Sequence, residues 1–174
     1  MTKMALLQFD PTVGDLEQNC RRLGALAAQA ASAEALVAIS TELAVCGYPP
    51  RDLLMERDFV ERSMAAALNL EAPRPVLVGT PIPAEDDRTL PTNGVVRSGP
   101  AFASITGDDH GRIVAEKQLL PTYDVFDEHR YFAPGDSVET FELNGKTIAV
   151  TICEDIWNDG ELSRWSSYAE RPLD

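Results

Sequence analysis

Cys153 stands where an apolar segment gives way to acidic residues. The preceding residues 147–152 (TIAVTI) are rich in β-branched side chains and predict a strand, and Asn144 followed by Gly145 predicts a hairpin turn before it. A thiol held at the end of a stiff strand, beside the backbone N–H groups of the next turn, is well placed to attack a carbonyl carbon. A single cysteine in a strand is more often a core residue, so this interpretation depends on its partners.

A carboxylate and an amine also lie at the ends of predicted strands. Glu42 comes just past the apolar residues 35–39, where partial burial would make its carboxylate a usable base. Alternation over residues 112–118 places Lys117 on the same side as Ile113, so an inward-facing Ile113 would direct the amine into the interior. Taken alone, the ordinary alternatives are a solvated loop glutamate and an edge-strand lysine.

Together these three groups could cleave an amide. The thiolate would attack the carbonyl carbon, and the carboxylate would take the thiol proton and later deliver it to the departing nitrogen. The ammonium and a backbone N–H would stabilise the oxyanion. We also expect the nearby cation to lower the pKa of the Cys153 thiol.

The composition of the chain narrows the classes of function. Its 174 residues, 44% hydrophobic and 25% charged, predict one soluble globular domain. A net charge of −13 argues against nucleic acid and anionic membranes as partners. We find no membrane-spanning stretch and no signal-peptide core. The scattered Cys20, Cys46 and Cys153 form neither a disulfide framework nor a zinc motif, so we expect no metal and a cytoplasmic location.

Hydrophobic periodicity predicts an alternating order of strands and helices followed by two hairpins. The predicted helices cover residues 15–31 and 53–70, and the predicted strands cover residues 4–9, 35–39, 75–80, 101–106, 112–118, 138–143 and 146–152. Residues 81–92 are rich in proline and charge and predict an exposed connection, and a further helix is predicted near Glu161. This order indicates the α/β class, with a mixed sheet and helices on one face.

Three long motifs connect the chain to a known family. They are residues 41–54 (TELAVCGYPPRDLL), 117–132 (KQLLPTYDVFDEHRYF) and 152–157 (ICEDIW). The chain resembles the nitrilase, or carbon–nitrogen hydrolase, superfamily, and within it the N-terminal glutaminase domains of glutamine-dependent NAD(+) synthetases. The resemblance covers essentially the whole chain. It implies an αββα sandwich, with residues 1–174 as the N-terminal part of the glutaminase domain, incomplete at the C-terminus and without the synthetase domain.

The resemblance also implies a role for each matched residue. Glu42 would be the general base and Lys117 the oxyanion stabiliser. Cys153 would complete the superfamily triad as the nucleophile that becomes a γ-glutamyl thioester. Glu128 would support the triad. The backbone N–H of Glu154 would complete the oxyanion hole.

Two aromatic residues match the lining of the family's glutamine pocket, namely Tyr48 and Tyr123. The chain departs from the family where Thr41 replaces the proline that usually precedes the triad glutamate. It departs again where Thr92-Asn93 stands in place of a common Tyr-Asn pair.

The implied reaction is hydrolysis of glutamine to glutamate and ammonia. In the family, the ammonia reaches a synthetase domain that amidates deamido-NAD with ATP, so the resemblance makes glutamine and that domain the partners of this chain. No Ser-Gly-Gly phosphate loop is present. We therefore expect no cofactor in this chain, with ATP and deamido-NAD binding the absent synthetase domain. Superfamily members commonly associate, so we also expect a homo-oligomer.

Three other functions stay open at this stage. The chain could be a stand-alone amidase or nitrilase acting on another substrate, or a folded fragment without activity. A Cys–His hydrolase would have to use His110 or His129, and no strong motif surrounds either histidine.

Overall fold

A computed structural model of the chain describes residues 2–85, 89–100, 113–136, 140–157 and 172. They form a five-stranded sheet in the order β1-β2-β3-β4-β5 and a separate two-stranded sheet of β6 and β7. The strands are β1 (Met4–Leu7), β2 (Val37–Ser40), β3 (Val76–Ile82), β4 (Thr92–Ser98), β5 (Ile113–Glu116), β6 (Thr140–Leu143) and β7 (Lys146–Ala149). The α-helices are α1 (Leu16–Ser32) and α2 (Arg57–Leu68), and short 3-10 turns cover Arg51–Met55, Glu128–Arg130 and Cys153–Ile156.

The larger sheet is mixed, as the sequence predicts. Strands β1, β2 and β3 pair in parallel, whereas β4 and β5 continue the sheet by antiparallel pairing. Side chains of α1 and α2 share one core with Leu7, Val76 and Val78 on one face. On the other face, Leu77 packs with Phe141 from the β6–β7 hairpin. In the described parts of the chain, no helix has the length and apolar character needed to cross a membrane.

Local signals explain the helices. Asp15 caps α1 by accepting a hydrogen bond from the Gln18 N–H at 3.1 Å, and Leu23 and Ala27 are buried at helical spacing. The predicted helix over residues 15–31 is therefore confirmed. The predicted helix over residues 53–70 is divided instead, because Glu56 has an extended backbone (ψ 103°) between a 3-10 turn and α2.

Two strand predictions are wrong in detail. The expected exposed connection over residues 81–92 contains the end of β3 and the start of β4, which pair continuously from Val76↔Ser98 to Ile82↔Thr92. The predicted strand over residues 146–152 ends at Ala149, so Cys153 does not follow a strand directly. Its β6–β7 pairing agrees with the second predicted hairpin. The predicted strand over residues 101–106 and the helix near Glu161 lie outside the described residues.

A bulge in β5 changes the alternation that the sequence suggested for this segment. Val95 pairs with Ala115 and Val96 with Ile113, so Val114 is an extra residue in the ladder. Val114 and Ala115 consequently belong to the same core cluster. The prediction that Lys117 faces the interior is nevertheless confirmed, because its side chain is 0% exposed.

Gly79 controls how closely the Glu42 loop can approach β3. A Cβ atom at this position would lie 2.6 Å from the Thr41 carbonyl oxygen and 2.7 Å from the Leu43 nitrogen. We predict that Gly79→Ala lowers the free energy of unfolding by about 1–3 kcal/mol, because the buried loop must move away from the strand. Urea unfolding of the purified chain measures this change.

Gly24→Ala is the matched control for this substitution. Gly24 lies inside α1, and a Cβ atom there would come no closer than 3.6 Å to another atom. Alanine favours helix over glycine, so this variant should be more stable by about 0.5–1 kcal/mol. Equal effects of the two substitutions would show that the Glu42 loop does not depend on its contact with Gly79.

Candidate active site

A buried lysine lies at the centre of the candidate site. The Lys117 Nζ atom is 2.9 Å from Glu42 Oε1 and 2.7 Å from Glu128 Oε2. The Lys117 backbone is held on both sides, since its N–H donates to the Asn93 carbonyl and its carbonyl accepts from the Gly135 N–H, each at 2.8 Å. The main chain therefore fixes where the ammonium can lie, and two carboxylates neutralise it there.

The two carboxylates decide the charge of the lysine. Burial would lower the pKa of Lys117, but Glu42 and Glu128 outweigh that effect and raise it above its ordinary value. Lys117 is therefore an ammonium at neutral pH. Burial also raises the pKa of Glu128, against the opposing effect of the Lys117 charge.

Glu42 is held by two neighbours at the same oxygen. Its Oε1 accepts hydrogen bonds from Asn93 Nδ2 at 2.7 Å and from Lys117 Nζ at 2.9 Å. The next residue, Leu43, is fully buried with a left-handed backbone (φ 47°), which turns the chain sharply after the carboxylate. Among the described residues, both contacts use Oε1, so Oε2 is the oxygen available to accept a proton.

Cys153 begins a 3-10 turn and also has a left-handed backbone, with φ at 47°. The residue is exposed, but its sulfur is within electrostatic range of Glu42, Lys117, Glu128 and Glu154. The expectation that the nearby cation lowers the thiol pKa is confirmed for the contribution of Lys117, although the net pKa of Cys153 is raised. Partial burial and then Glu42 raise the pKa of Cys153, and the opposing Lys117 charge is not enough to reverse this. Cys153 is consequently a thiol at neutral pH.

The two predicted pocket tyrosines are both bonded to site carboxylates. The Tyr48 hydroxyl donates to Glu128 Oε1 and the Tyr123 hydroxyl donates to Glu154 Oε2, each at 2.8 Å. Phe126 lies between the two rings, with centroids 6.3 Å from Tyr48 and 5.7 Å from Tyr123. These residues form a continuous aromatic wall beside the carboxylates.

The seven residues selected from the sequence thus converge on one region. They are Glu42, Lys117, Cys153, Glu128, Glu154, Tyr48 and Tyr123. Sequence reasoning missed the contact between Asn93 and Glu42, and it assigned no role to Asp155. Asn93 is fully buried in β4, and its match to the asparagine of the Tyr-Asn pair is the sequence signal that could have selected it.

Comparison with known proteins identifies the family of the chain. The family described as carbon-nitrogen hydrolase matches residues 3–167. The chain is 38% identical to a glutamine-dependent NAD(+) synthetase from Synechocystis sp. over 99% of its own length and 31% of the relative. It is 34% identical to the glutamine-dependent NAD(+) synthetase of Acinetobacter baylyi over 94% of its own length and 29% of the relative.

Solved structures give the same result for the fold. The glutamine-dependent NAD+ synthetase of Acinetobacter baumannii aligns with a TM-score of 0.74 and 31% identity, over 90% of this chain and 28% of that one. An amidase of the nitrilase superfamily from Nesterenkonia aligns with a TM-score of 0.67 and 19% identity, over 94% of this chain and 59% of that one. The predicted nitrilase-like fold is therefore confirmed. The chain spans about 30% of the length of the curated relatives named above.

Replacing Lys117 by Met should lower the free energy of unfolding at neutral pH by about 3–5 kcal/mol, since two carboxylates would lose their buried cation. In the variant, the carboxylate pair should bind a proton more tightly in the folded than in the unfolded chain. The missing stability should therefore return as the pH falls toward the ordinary carboxylate range and be lost again as it rises. Urea unfolding at a series of pH values measures the difference from the unmodified chain.

Lys146→Met is the control for this prediction, because Lys146 is an exposed lysine in β7. Its effect should stay within about 0.5 kcal/mol at every pH. If Lys117→Met lowers the free energy of unfolding by the same amount at every pH, the two carboxylates do not repel each other across the vacated position.

The raised thiol pKa of Cys153 makes a second prediction. Alkylation by iodoacetamide should reach half its maximal rate at a higher pH than for an ordinary thiol, since the thiolate is the reactive form. Glu42→Gln should move this midpoint to lower pH, because it removes the charge that most opposes the thiolate. Peptide mass spectrometry separates Cys153 from the other cysteines.

Glu17→Gln serves as the charge-matched control for Glu42→Gln. Glu17 lies in the first turn of α1 and is largely exposed, so its replacement should leave the alkylation midpoint of Cys153 unchanged. A midpoint for the unmodified chain below the ordinary thiol range would contradict the electrostatic account of the site.

Proposed function

The chain belongs to the carbon–nitrogen hydrolase family, and we propose that it forms the glutamine-hydrolysing site of a glutamine-dependent NAD(+) synthetase. Residues 1–174 are assigned in this proposal to one glutaminase domain, of which they form the N-terminal part. Glu42, Lys117 and Cys153 are its catalytic residues. The similarity to curated NAD(+) synthetases over nearly the whole chain supports glutamine as the substrate.

The observation that carries the proposal is the ion pair between Lys117 and Glu42, at 2.9 Å, within electrostatic range of the Cys153 sulfur. A buried ammonium is costly unless it has a task or a partner. Here it has two partners and still lies where negative charge would develop during attack by the thiol. The same residues thus supply a nucleophile, a base and a cation in one place.

The first half of the reaction consumes the amide. Glu42 Oε2 accepts the Cys153 proton as the sulfur forms a bond to the amide carbon, and the carbonyl electron pair moves onto oxygen. Lys117 and the backbone N–H of Glu154 stabilise that oxyanion. The oxyanion then returns its electron pair, the carbon–nitrogen bond breaks, and Glu42 delivers its proton to the departing nitrogen. The products are ammonia and an acyl thioester on Cys153.

The second half of the reaction restores the thiol. Glu42 accepts a proton from water as the water oxygen bonds to the thioester carbon, and the same donors stabilise the second oxyanion. The carbon–sulfur bond then breaks, and Glu42 returns the proton to the Cys153 sulfur. Glutamate leaves, and the three residues regain their starting charges.

Glu128 and the aromatic wall support this chemistry. Glu128 forms a second ion pair with Lys117, in addition to that of Glu42. The Tyr48 hydroxyl donates a hydrogen bond to the other carboxylate oxygen of Glu128. With Glu42 protonated during catalysis, Glu128 keeps the ammonium paired. Tyr48 and Tyr123 would line the pocket that receives the aliphatic part of glutamine, beside Phe126.

The remaining parts of the proposal concern the larger protein. The ammonia would pass to a synthetase domain that binds ATP and deamido-NAD, with no cofactor needed by residues 1–174. Met4 and Leu6 expose apolar surface on β1, which supports packing against another domain or a second copy in a homo-oligomer. The free cysteines support a reducing cytoplasmic setting.

Cys153→Ser tests the proposed nucleophile. A serine hydroxyl is far harder to deprotonate than a thiol, so the rate of glutamate and ammonia release from glutamine should fall by orders of magnitude with the fold retained. A diazoketone analogue of glutamine should add one adduct to Cys153 of the unmodified chain and none to the variant. Enzymatic glutamate detection and intact-mass spectrometry provide the two measurements.

Cys20→Ser is the control, because Cys20 is a half-buried cysteine on α1 away from the site. It should keep both the hydrolysis rate and the adduct. Faster hydrolysis of another amide than of glutamine would show that glutamine is not the substrate. A chain that neither hydrolyses glutamine nor takes the adduct at Cys153 would overturn the proposal.

A further inference from the structure

One side chain joins the segment that presents the buried lysine to the turn that presents the nucleophile. Asp155 is 4% exposed. Its Oδ1 accepts the backbone N–H groups of Gln118 and Leu119, each at 3.0 Å, and its Oδ2 accepts the Ile152 N–H at 3.0 Å. The carboxylate therefore connects the two residues after the lysine with the residue before the thiol.

Among the residues that the structure describes, the turn that presents Cys153 has few other backbone restraints. Strand β7 ends at Ala149, so the ladder of the hairpin does not reach Cys153. The Ile152 N–H donates to Asp155 rather than to a neighbouring strand. The left-handed backbone of Cys153 (φ 47°) costs a residue with a side chain about 1–2 kcal/mol, and it persists only where surrounding contacts require it. The Asp155 carboxylate supplies such contacts to the residue before the turn and to the segment that follows Lys117.

Only a carboxylate fits this position. Three N–H donors converge on the Asp155 side chain, and an ionised carboxylate can accept all of them. Burial raises the pKa of Asp155, while the three backbone donors oppose that change by stabilising the charged form. An asparagine would have one acceptor oxygen, and its amide group would face at least one N–H as a second donor.

We propose that Asp155 is a positioning residue, which holds the Cys153 sulfur at its working distance from the Lys117 ammonium. It does not touch the reacting atoms. Its effect on turnover rests on the proposed function, whereas its effect on the environment of the thiol does not. The two effects can therefore be measured separately.

Asp155→Asn is the direct test. Loss of one of the three hydrogen bonds to the Asp155 side chain should let the turn move relative to the lysine. A displacement of about 1 Å can lower the rate about 100-fold. We expect kcat for glutamine hydrolysis to fall by about that factor, with KM changed by less than about threefold. The alkylation midpoint of Cys153 should move to lower pH, toward that of an ordinary thiol, because the sulfur leaves its partly buried, negatively charged surroundings.

Asn19→Ala is the matched control for loss of stability. The Asn19 side chain is also fully buried and makes three hydrogen bonds to backbone groups, namely with the N–H and carbonyl of Thr12 and with the carbonyl of Val45. Its loss should lower the thermal unfolding midpoint at least as much as Asp155→Asn. The value of kcat per folded molecule and the Cys153 midpoint should stay unchanged.

Hydrogen exchange of the unmodified chain tests the three hydrogen bonds of Asp155 even where Asp155→Asn fails to fold. The amides of Gln118, Leu119 and Ile152 should exchange together and slowly, since one carboxylate holds all three. Exchange of these amides at the rate of exposed ones would overturn the proposal.

The outcomes separate the two inferences. Asp155→Asn with an unchanged Cys153 midpoint, or with no greater loss of kcat than Asn19→Ala, would overturn the positioning role and leave the proposed function intact. Full hydrolysis by Cys153→Ser would remove the proposed function, while the midpoint and exchange measurements would still decide the role of Asp155.

Discussion

The paired, buried ammonium of Lys117 is the interaction on which the rest of the structure depends. An ion without partners in a protein interior costs several kcal/mol, so this side chain is tolerated only while Glu42 and Glu128 lie within 2.9 Å and 2.7 Å of it. The carboxylates arrive from two loops far apart in the chain, and the lysine follows an edge strand. Folding must therefore bring three segments to one point. The backbone contacts of Lys117 with Asn93 and Gly135 add a geometric constraint to the electrostatic one.

The site is built on loops, and close contacts between backbone segments fix the positions of those loops. The Glu42 loop passes so near β3 that only glycine fits at position 79. Leu43, which follows Glu42, and Cys153 both have left-handed backbones. Such conformations concentrate at functional sites because surrounding contacts can pay for strain that fixes a side chain. The strain here lies at the residue after Glu42 and at Cys153, and Asp155 accepts a hydrogen bond from the residue just before the strained Cys153 turn.

Much of this arrangement could be predicted from local sequence, and the failures have physical causes. The Asp15 cap and the apolar spacing of α1 are local signals, and they predicted that helix correctly. The strand β4 was missed because Asn93 and Gly94 have low strand propensity, yet pairing with β3 overrides it. Convergence of the acid, amine and thiol followed from the motifs. The raised pKa of the thiol did not, because it depends on burial and on the sum of several charges, which linear order does not contain.

That raised pKa bears on the proposed hydrolysis, in which Cys153 would give its proton to Glu42. If the pKa of Cys153 were lowered, the thiolate would share the lysine with two carboxylates before the substrate binds. It would also be a weaker nucleophile, because nucleophilicity falls as the thiol pKa falls. With the thiol protonated, the site contains one ammonium between Glu42 and Glu128. Moving the proton from Cys153 to Glu42 transfers the negative charge from oxygen to sulfur and leaves the net charge of the site unchanged. Because Lys117 attracts both the starting carboxylate and the resulting thiolate, it would offset part of the free-energy cost of this transfer. In the proposed reaction Glu128 would keep the ammonium paired at the moment when Glu42 is neutral.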